Sequence, residues 1–516
     1  MARLAAKRTM RPEKAAARSS EAVRRRRFLI VLAISIAVYL VLAVLVASAK
    51  RPWSDEGWFA SPAFNLAFHG FMGTTVLYSS RLPRIDQHTY WILPLYLVGL
   101  AGWFKAVGFG LVSMRMFSAV FGAVAIGSWY AIAQKLTRDP LVAAATAILL
   151  ATDYLFVNIG TLGRPDMMCA GLGSLALALY LSLRERNLGQ AFFWANVVLA
   201  CCFFTHPNAI LFAAMFALLV WVHDRRLLRI RTLLTGATPY LAGAAMWLTY
   251  ISRDPSAFRA QLMGNADSHG RFGNFLHPWH AIKTELLERY LTAYGLGAHS
   301  AGHAGPIALK SLVLVCYVLA IVVCLSVPGI RKRPGTKLVL TMLGVVFLIQ
   351  CFFNQKLAWY LAHIIPLYTL VLAIAFVALW QTARMRRLFS VVLAGVFIVL
   401  LAVQIGGSLY LAKTNTYRNQ YRPLLAFLNG LPPTQSIYGT AAIEFGLDHR
   451  GRLCDDVTLG YYNHRRPDYV VMDPIYEDSL EGLKYHDPAA YNSAEKKLEG
   501  ARKIYDHDDF QVYAIQ

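Results

Sequence analysis

Charge is what this sequence has least of. Only 16% of its 516 residues are Asp, Glu, Lys or Arg, against 57% hydrophobic, too little charge to solvate the surface of a soluble protein this large. Acids are scarcest in the first 411 residues, which hold 14 of the 29. The seven cysteines have no zinc-type or disulfide-type spacing: Cys169, Cys201, Cys202, Cys316, Cys324 and Cys351 fall in apolar runs, and Cys454 stands alone. They read as small core residues. No internal repeat is visible, and no low-complexity tract beyond an Arg-rich start.

What is present is a membrane pattern. Ten Lys and Arg precede residue 28 against Glu13 and Glu21, a tail suited to an anionic cytoplasmic leaflet. Phe28 to Ala49 follows as an unbroken apolar run of 22 residues ending in Ala47-Ser48-Ala49. It imitates a signal peptide but is long enough to span, so it reads as an uncleaved first helix. Ten further apolar runs lie at about 112–136, 140–159, 165–183, 190–205, 208–222, 232–251, 305–327, 337–354, 357–380 and 388–411.

A twelfth run, Tyr90 to Gly108, contains Pro94 and Lys105, and the positive-inside rule decides its status. Excluding it puts Lys135/Arg138, Arg184/Arg186, Arg225/Arg226/Arg229/Arg231, Arg331/Lys332/Arg333/Lys337 and Arg384/Arg386/Arg387 on the side of the basic tail. Including it puts all five clusters outside. We therefore expect a basic tail (1–27), a domain of eleven membrane helices (28–411) with outer loops 50–111 and 252–304, and a small α/β domain (412–516) on the outer side. Residues 59–70 and 90–108 read as interfacial helices.

Few acids flank a span on the outer side. Asp55 and Glu56 follow the first helix, Asp153 ends the third run, and Asp166 opens the fourth. A carboxylate at a dry boundary needs a partner or a task. The bland alternatives are helix capping for Asp55 and Glu56, a helix N-terminal charge or a bridge to Arg164 for Asp166, and a pair with Arg115 for Asp153. Histidines also gather outside: His206 in Thr205-His206-Pro207, then His269, His277, His280, His299 and His303. A divalent ion held by a loop histidine and a carboxylate is the cofactor reading left open, although the spacings match no zinc signature.

The segment WSDEGWFASPAFNLAFHG (53–70), Tyr90 to Leu97 with Arg115, Gly163-Arg164-Pro165-Asp166, and Lys356 to Tyr360 with Pro366 resemble the GT-C fold glycosyltransferases. These include the protein O-mannosyltransferases, the lipid A aminoarabinose transferases and the lipopolysaccharide galacturonosyltransferases. The resemblance implies a polytopic bacterial inner-membrane enzyme with a periplasmic active site. It would transfer a sugar, with inversion, from a polyprenyl-phosphate donor to a lipid, glycan or protein acceptor. Such a reaction needs one general base and cations for the departing phosphate. The resemblance implies Asp55 as base with Glu56 as its neighbour, Arg164, Lys356 and Tyr360 for the donor phosphate, and Asp166 with His206 to orient, bind acceptor or hold metal. The family often continues Lys, Tyr, Pro, Pro; here His363 stands where the first proline is expected, which leaves the local helix shape open. A transporter or flippase of a lipid-linked sugar is the competing reading, and a non-catalytic assembly protein the third. Transporters place ionisable groups near mid-membrane and often carry repeats.

Overall fold

A computed structural model describes residues 2–267, 277–296, 304–383, 387–447, 449 and 451–515. His269, His299, His303, Arg384 and Arg386 lie outside the described residues. The protein is a bundle of apolar helices with a small α/β domain at one end. Each of the eleven expected runs falls on a helix or a bent pair of helices. Among the described residues, six helices are long and apolar enough to cross a membrane, and a seventh arises if Pro140–Thr152 and Tyr154–Gly160, bent by 61°, are one span.

The expected eleven full spans are therefore not all present as single long helices. Leu188–Phe203, Ala209–His223 and Thr336–Cys351 are shorter than the roughly 20 residues a hydrocarbon core requires. Pro94–Val107 is also short, in keeping with an interfacial helix. The bend after Thr152 has a side-chain cause. Asp153 Oδ1 accepts the N–H of Phe156 at 2.7 Å and so caps the second helix. Its Oδ2 is held by the hydroxyl of Tyr317 and the amide of Gln404. The expected Asp153–Arg115 pair does not form.

The two ends of the bundle differ in charge. At one, Lys135, Arg138, Arg184, Arg331, Lys332, Arg333 and Lys337, drawn from three of the basic loops, line one cavity of about 610 Å³. Arg184 also binds Asp224, next to the fourth cluster, at 2.7 Å. Three of the five basic loops therefore share one end of the bundle.

At the other end sits the α/β domain. Strands β1 (Ile437–Tyr438), β2 (Leu453–Cys454), β3 (Tyr469–Met472), β4 (Arg502–His507) and β5 (Phe510–Ala514) form one sheet in the order β2-β1-β3-β5-β4. The first three are parallel, while β5 runs antiparallel to β3 and β4. The domain docks on helix Ser54–His69. Trp58 donates its indole N–H to Asp455 at 2.8 Å, and Leu77 forms a β-bridge to Asp455. A Cβ on Gly57 would lie 2.2 Å from the carbonyl oxygen of Ala441, so the contact depends on glycine there. Arg51 adds an ion pair to Asp509 at 2.7 Å.

Candidate active site

Asp55, Glu56 and Asp166 come together where the first helix ends, whereas Asp153 does not. Lys50 Nζ donates to the carbonyl and side chain of Asn158 and to Thr161, each at 2.9 Å, which ties the turn before Arg164 to the turn before Asp55. Arg164 is the N-cap of helix Pro165–Leu183, with Pro165 at its first position and Asp166 in its first turn. A carboxylate there is favoured by the helix dipole. Arg164 forms ion pairs with both Asp55 and Asp166, the latter at 2.9 Å. Its guanidinium lies over the rings of Trp359 (4.6 Å) and Phe59 (5.6 Å). Asp55 keeps 21% of its side chain exposed, whereas Asp166 has 1%.

Glu56 is placed quite differently. Its Oε1 accepts from Arg115 Nε and from the N–H of Gly163, both at 2.8 Å, and its Oε2 from Arg115 Nη2 at 2.7 Å and Trp53 N–H at 2.9 Å. Arg115 spends its remaining N–H groups on the carbonyls of Ala47, Lys50 and Arg51. Both side chains are wholly buried. Burial pushes the Glu56 carboxyl up, but the Arg115 charge and the hydrogen bonds more than offset it, and the group sits below its ordinary range. A carboxylate with four hydrogen bonds and no exposed surface is poorly placed to receive a proton from a substrate. The second candidate base is thereby corrected to a structural clamp joining Trp53, Arg115 and Gly163.

His206 and His363 face Asp166 from two other elements. His206 Nε2 is 3.9 Å from Asp166 Oδ1. Asn208 holds both imidazoles, its N–H donating to His206 Nδ1 at 3.1 Å and its side-chain amide lying 3.0 Å from His363 Nε2. His363 is fully buried in a 3-10 turn, Ala358–His363; this is the shape taken where the family places a proline.

Cys169, His206 and His363 bring metal-capable donor atoms within 4.8 Å of one another. A metal-bound imidazole donates with its second nitrogen. His206 instead accepts a backbone N–H at Nδ1, so in its neutral ring the proton sits on Nε2, toward Asp166. A metal at Nε2 would need the other tautomer, and one at Nδ1 would displace the Asn208 N–H. As arranged, the trio does not fit a metal through His206.

A second ionic cluster was only half legible in the sequence. Lys356 binds Glu285 at 2.9 Å, and Glu285 also binds Arg289. Arg289 donates to the carbonyl of Gln355 at 2.8 Å and lies 5.6 Å from the ring of Tyr360. The Tyr360 hydroxyl reaches Gln355 Oε1 at 3.1 Å. Burial pushes Lys356 down and Glu285 up, and their mutual attraction only partly restores the charged forms. Glu285 and Arg289 were missed because they sit in a loop whose charges look solvated. Their one signal was an acid and a cation four apart in a chain poor in both. The 3-10 turn joins the two clusters: Trp359 stacks on Arg164, and Tyr360 lies between Arg289 and His206, 5.7 Å from the latter.

Glu285 and Arg289 belong to a π-helical segment, Glu285–Leu291. The apolar residues of that segment, Leu286, Leu287, Tyr290 and Leu291, line a cavity of about 670 Å³ with helices Ala304–Ser326 and Thr336–Cys351. Its Tyr hydroxyls are spent inside the protein, Tyr317 on Asp153 and Tyr290 on Tyr368. From Leu314 to Leu325 the cavity follows its helix for about 16 Å, roughly half the hydrocarbon thickness.

Residues 94–251 match the family model for dolichyl-phosphate-mannose-protein mannosyltransferases. Among solved structures, the ArnT of Cupriavidus metallidurans bound to undecaprenyl phosphate is similar over 93% of this chain and 97% of its own, with a TM-score of 0.59 at 15% identity. The chain has the GT-C fold. The GT-C oligosaccharyltransferase of Archaeoglobus fulgidus in its apo form superposes over 93% of this chain and 74% of its own, with a TM-score of 0.53 at 13% identity. A further structure of that enzyme holds zinc and sulfate. No curated protein matches the chain significantly by sequence. The GT-C frame makes this a multi-pass membrane protein, built as membrane glycosyltransferases are.

Proposed function

We propose that this protein is a bacterial inner-membrane glycosyltransferase, its site facing the periplasm, that moves a sugar from a polyprenyl-phosphate donor to a lipid, glycan or protein acceptor. The observation that carries this reading is the pairing of Arg164 with Asp55 and Asp166 beside a second cluster, Glu285–Arg289–Lys356, in which Glu285 and Arg289 share a segment whose apolar residues line a cavity among the helices. The cavity offers a hydrocarbon chain an apolar lining, and Lys356 and Arg289 of the neighbouring cluster are the cations proposed for an anionic headgroup. ArnT in its lipid complex binds undecaprenyl phosphate, a ligand of this chemistry.

In the proposed reaction the acceptor oxygen or nitrogen attacks the anomeric carbon while the bond from that carbon to the phosphate breaks, with inversion. The acceptor proton passes to Asp55, the one carboxylate of the cluster with an exposed face. Arg164, fixed between Asp166 and two aromatic rings, orients Asp55. Lys356 and Arg289 take the charge of the leaving phosphate, which replaces Glu285 as their counter-ion. No step uses a metal.

Mass spectrometry of envelope lipids and glycoproteins from a deletion strain tests the reading. It should show one sugar missing from one acceptor class, restored by the wild-type chain and not by Asp55→Asn. An unchanged envelope profile, or full rescue by Asp55→Asn, would refute it.

A further inference from the structure

The outer α/β domain carries a second cleft, remote in sequence from the acids described above. It measures about 990 Å³, and its lining includes Tyr461, Tyr462, Arg465, Arg466, Lys496 and Lys497, with no acidic residue. Among the described residues none of these four cations is in an ion pair. The neighbouring carboxylates are engaged in hydrogen bonds, and Asp456 also acts on Lys497 through space. Asp456 is consumed by Thr458, Gly460 and Asn463, and Asp487 by the hydroxyl of Tyr462. Four cations on a concave wall that has no acidic lining residue focus potential and attract anions.

The loop presenting these residues is held in a costly conformation. Leu459 (φ 48°), Gly460 (φ 84°) and His464 (φ 55°) are all left-handed. A Cβ on Gly460 would lie 1.8 Å from the carbonyl oxygen of Arg465. Lys497 pins the loop by donating to the carbonyl of Leu459 at 2.7 Å. Two non-glycine residues with positive φ inside six positions is strain of the kind retained at binding sites. Tyr461 and Tyr462 are 37% and 40% exposed and meet edge to face at 5.0 Å. They offer ring surface beside the cations.

We propose that this cleft binds an anionic saccharide, the carboxylates or phosphates pairing with Arg465, Arg466, Lys496 and Lys497 and the sugar C–H faces stacking on Tyr461 and Tyr462. The choice of a saccharide rests on the glycosyltransferase reading; the anionic specificity rests on the cleft alone. A membrane surface fits less well, since the lining is concave and has no row of exposed aliphatic side chains to insert.

The test uses the full chain in detergent, with hexagalacturonate as the acidic probe and maltohexaose as the neutral one, and calorimetry as the readout. Hexagalacturonate should bind with salt-sensitive affinity and maltohexaose should not. Arg465→Glu with Lys496→Glu should weaken hexagalacturonate by roughly tenfold or more. Tyr461→Ala with Tyr462→Ala should weaken it at unchanged salt dependence. These residues are exposed, so thermal midpoints should stay near wild type. Equal binding of both probes, or charge-reversed protein that binds as wild type, overturns the proposal. So does phosphatidylglycerol vesicle binding that needs these four cations while hexagalacturonate fails to bind. The assay contains no donor, so a failed transferase reading leaves its result standing.

Discussion

Asp55 and Glu56 are neighbours of one chemical type, and the structure assigns them opposite consequences on mutation. Glu56 receives four hydrogen bonds, two of them from Arg115. In Glu56→Gln the amide oxygen can serve one of the two pairs of donors, and its NH₂ then opposes the other pair. The Arg115 guanidinium, fully buried, keeps three carbonyl partners but loses its only counter-charge. Breaking a buried pair from one side costs about 3 to 5 kcal/mol, a large share of the stability of any protein. Asp55→Asn removes a partly exposed group from Arg164, which retains Asp166; that change should cost less than the Glu56 one, because no buried charge is left alone. The assay is the yield of monodisperse protein in detergent and its apparent thermal midpoint at one scan rate, beside turnover of a polyprenyl-phosphate sugar. Asp55→Asn should be stable and slower by ~10²- to 10⁴-fold. Glu56→Gln should be poorly folded, and Glu56→Met with Arg115→Met should be more stable than either single change, because no charge is left alone. A Glu56→Gln protein as stable as wild type yet inactive, beside an active Asp55→Asn, would refute this assignment and make Glu56 the base.

Three further outcomes follow from the geometry. Lys356→Met and Arg289→Met should each weaken polyprenyl-phosphate binding by about ten- to a hundredfold, the equivalent of ~1.5 to 3 kcal/mol for a charge-assisted contact, whereas Glu285→Gln should strengthen it; unchanged affinity in all three would remove the phosphate role. Gly57→Ala should loosen the α/β domain from helix Ser54–His69, because the added carbon meets Ala441 backbone, and limited trypsin digestion should then release that domain faster than from wild type. Burial pushes the Asp455 carboxyl up to about 7, with Asp473 and Asp456 adding to the rise and the bonds from Trp58 and Ala441 opposing it. The folded state therefore holds this proton more tightly than the unfolded chain, and its contribution is complete below pH ~4 and lost as pH rises to ~7. Asp455→Asn keeps an oxygen for Trp58 and Ala441 and carries no charge, so its thermal midpoint should fall less than that of wild type between pH 5 and pH 8.

The membrane architecture was legible because it is written in bulk properties. Each apolar run fell on a helix or a bent pair of helices, and the distribution of Lys and Arg was enough to group three loops that the structure brings together around one cavity. Rarity did the same for the site: in an apolar chain with few acids, Asp55 and Asp166 were conspicuous, and both contact Arg164. What sequence could not supply was direction. Adjacent helical residues point about 100° apart, so nothing in Asp55-Glu56 says which one turns into the core. Arg115 could equally have served Asp153, and only the fold sets Glu56 against it. Glu285 and Arg289 show the same limit from the other side. They read as loop charges until Lys356, 71 residues away from Glu285, closes on them. Charges that act together here are joined by tertiary contacts between segments, and each becomes interpretable only when its partner is known. This is why the acids beside helix ends could be found in advance while their division into base, clamp and counter-ion could not.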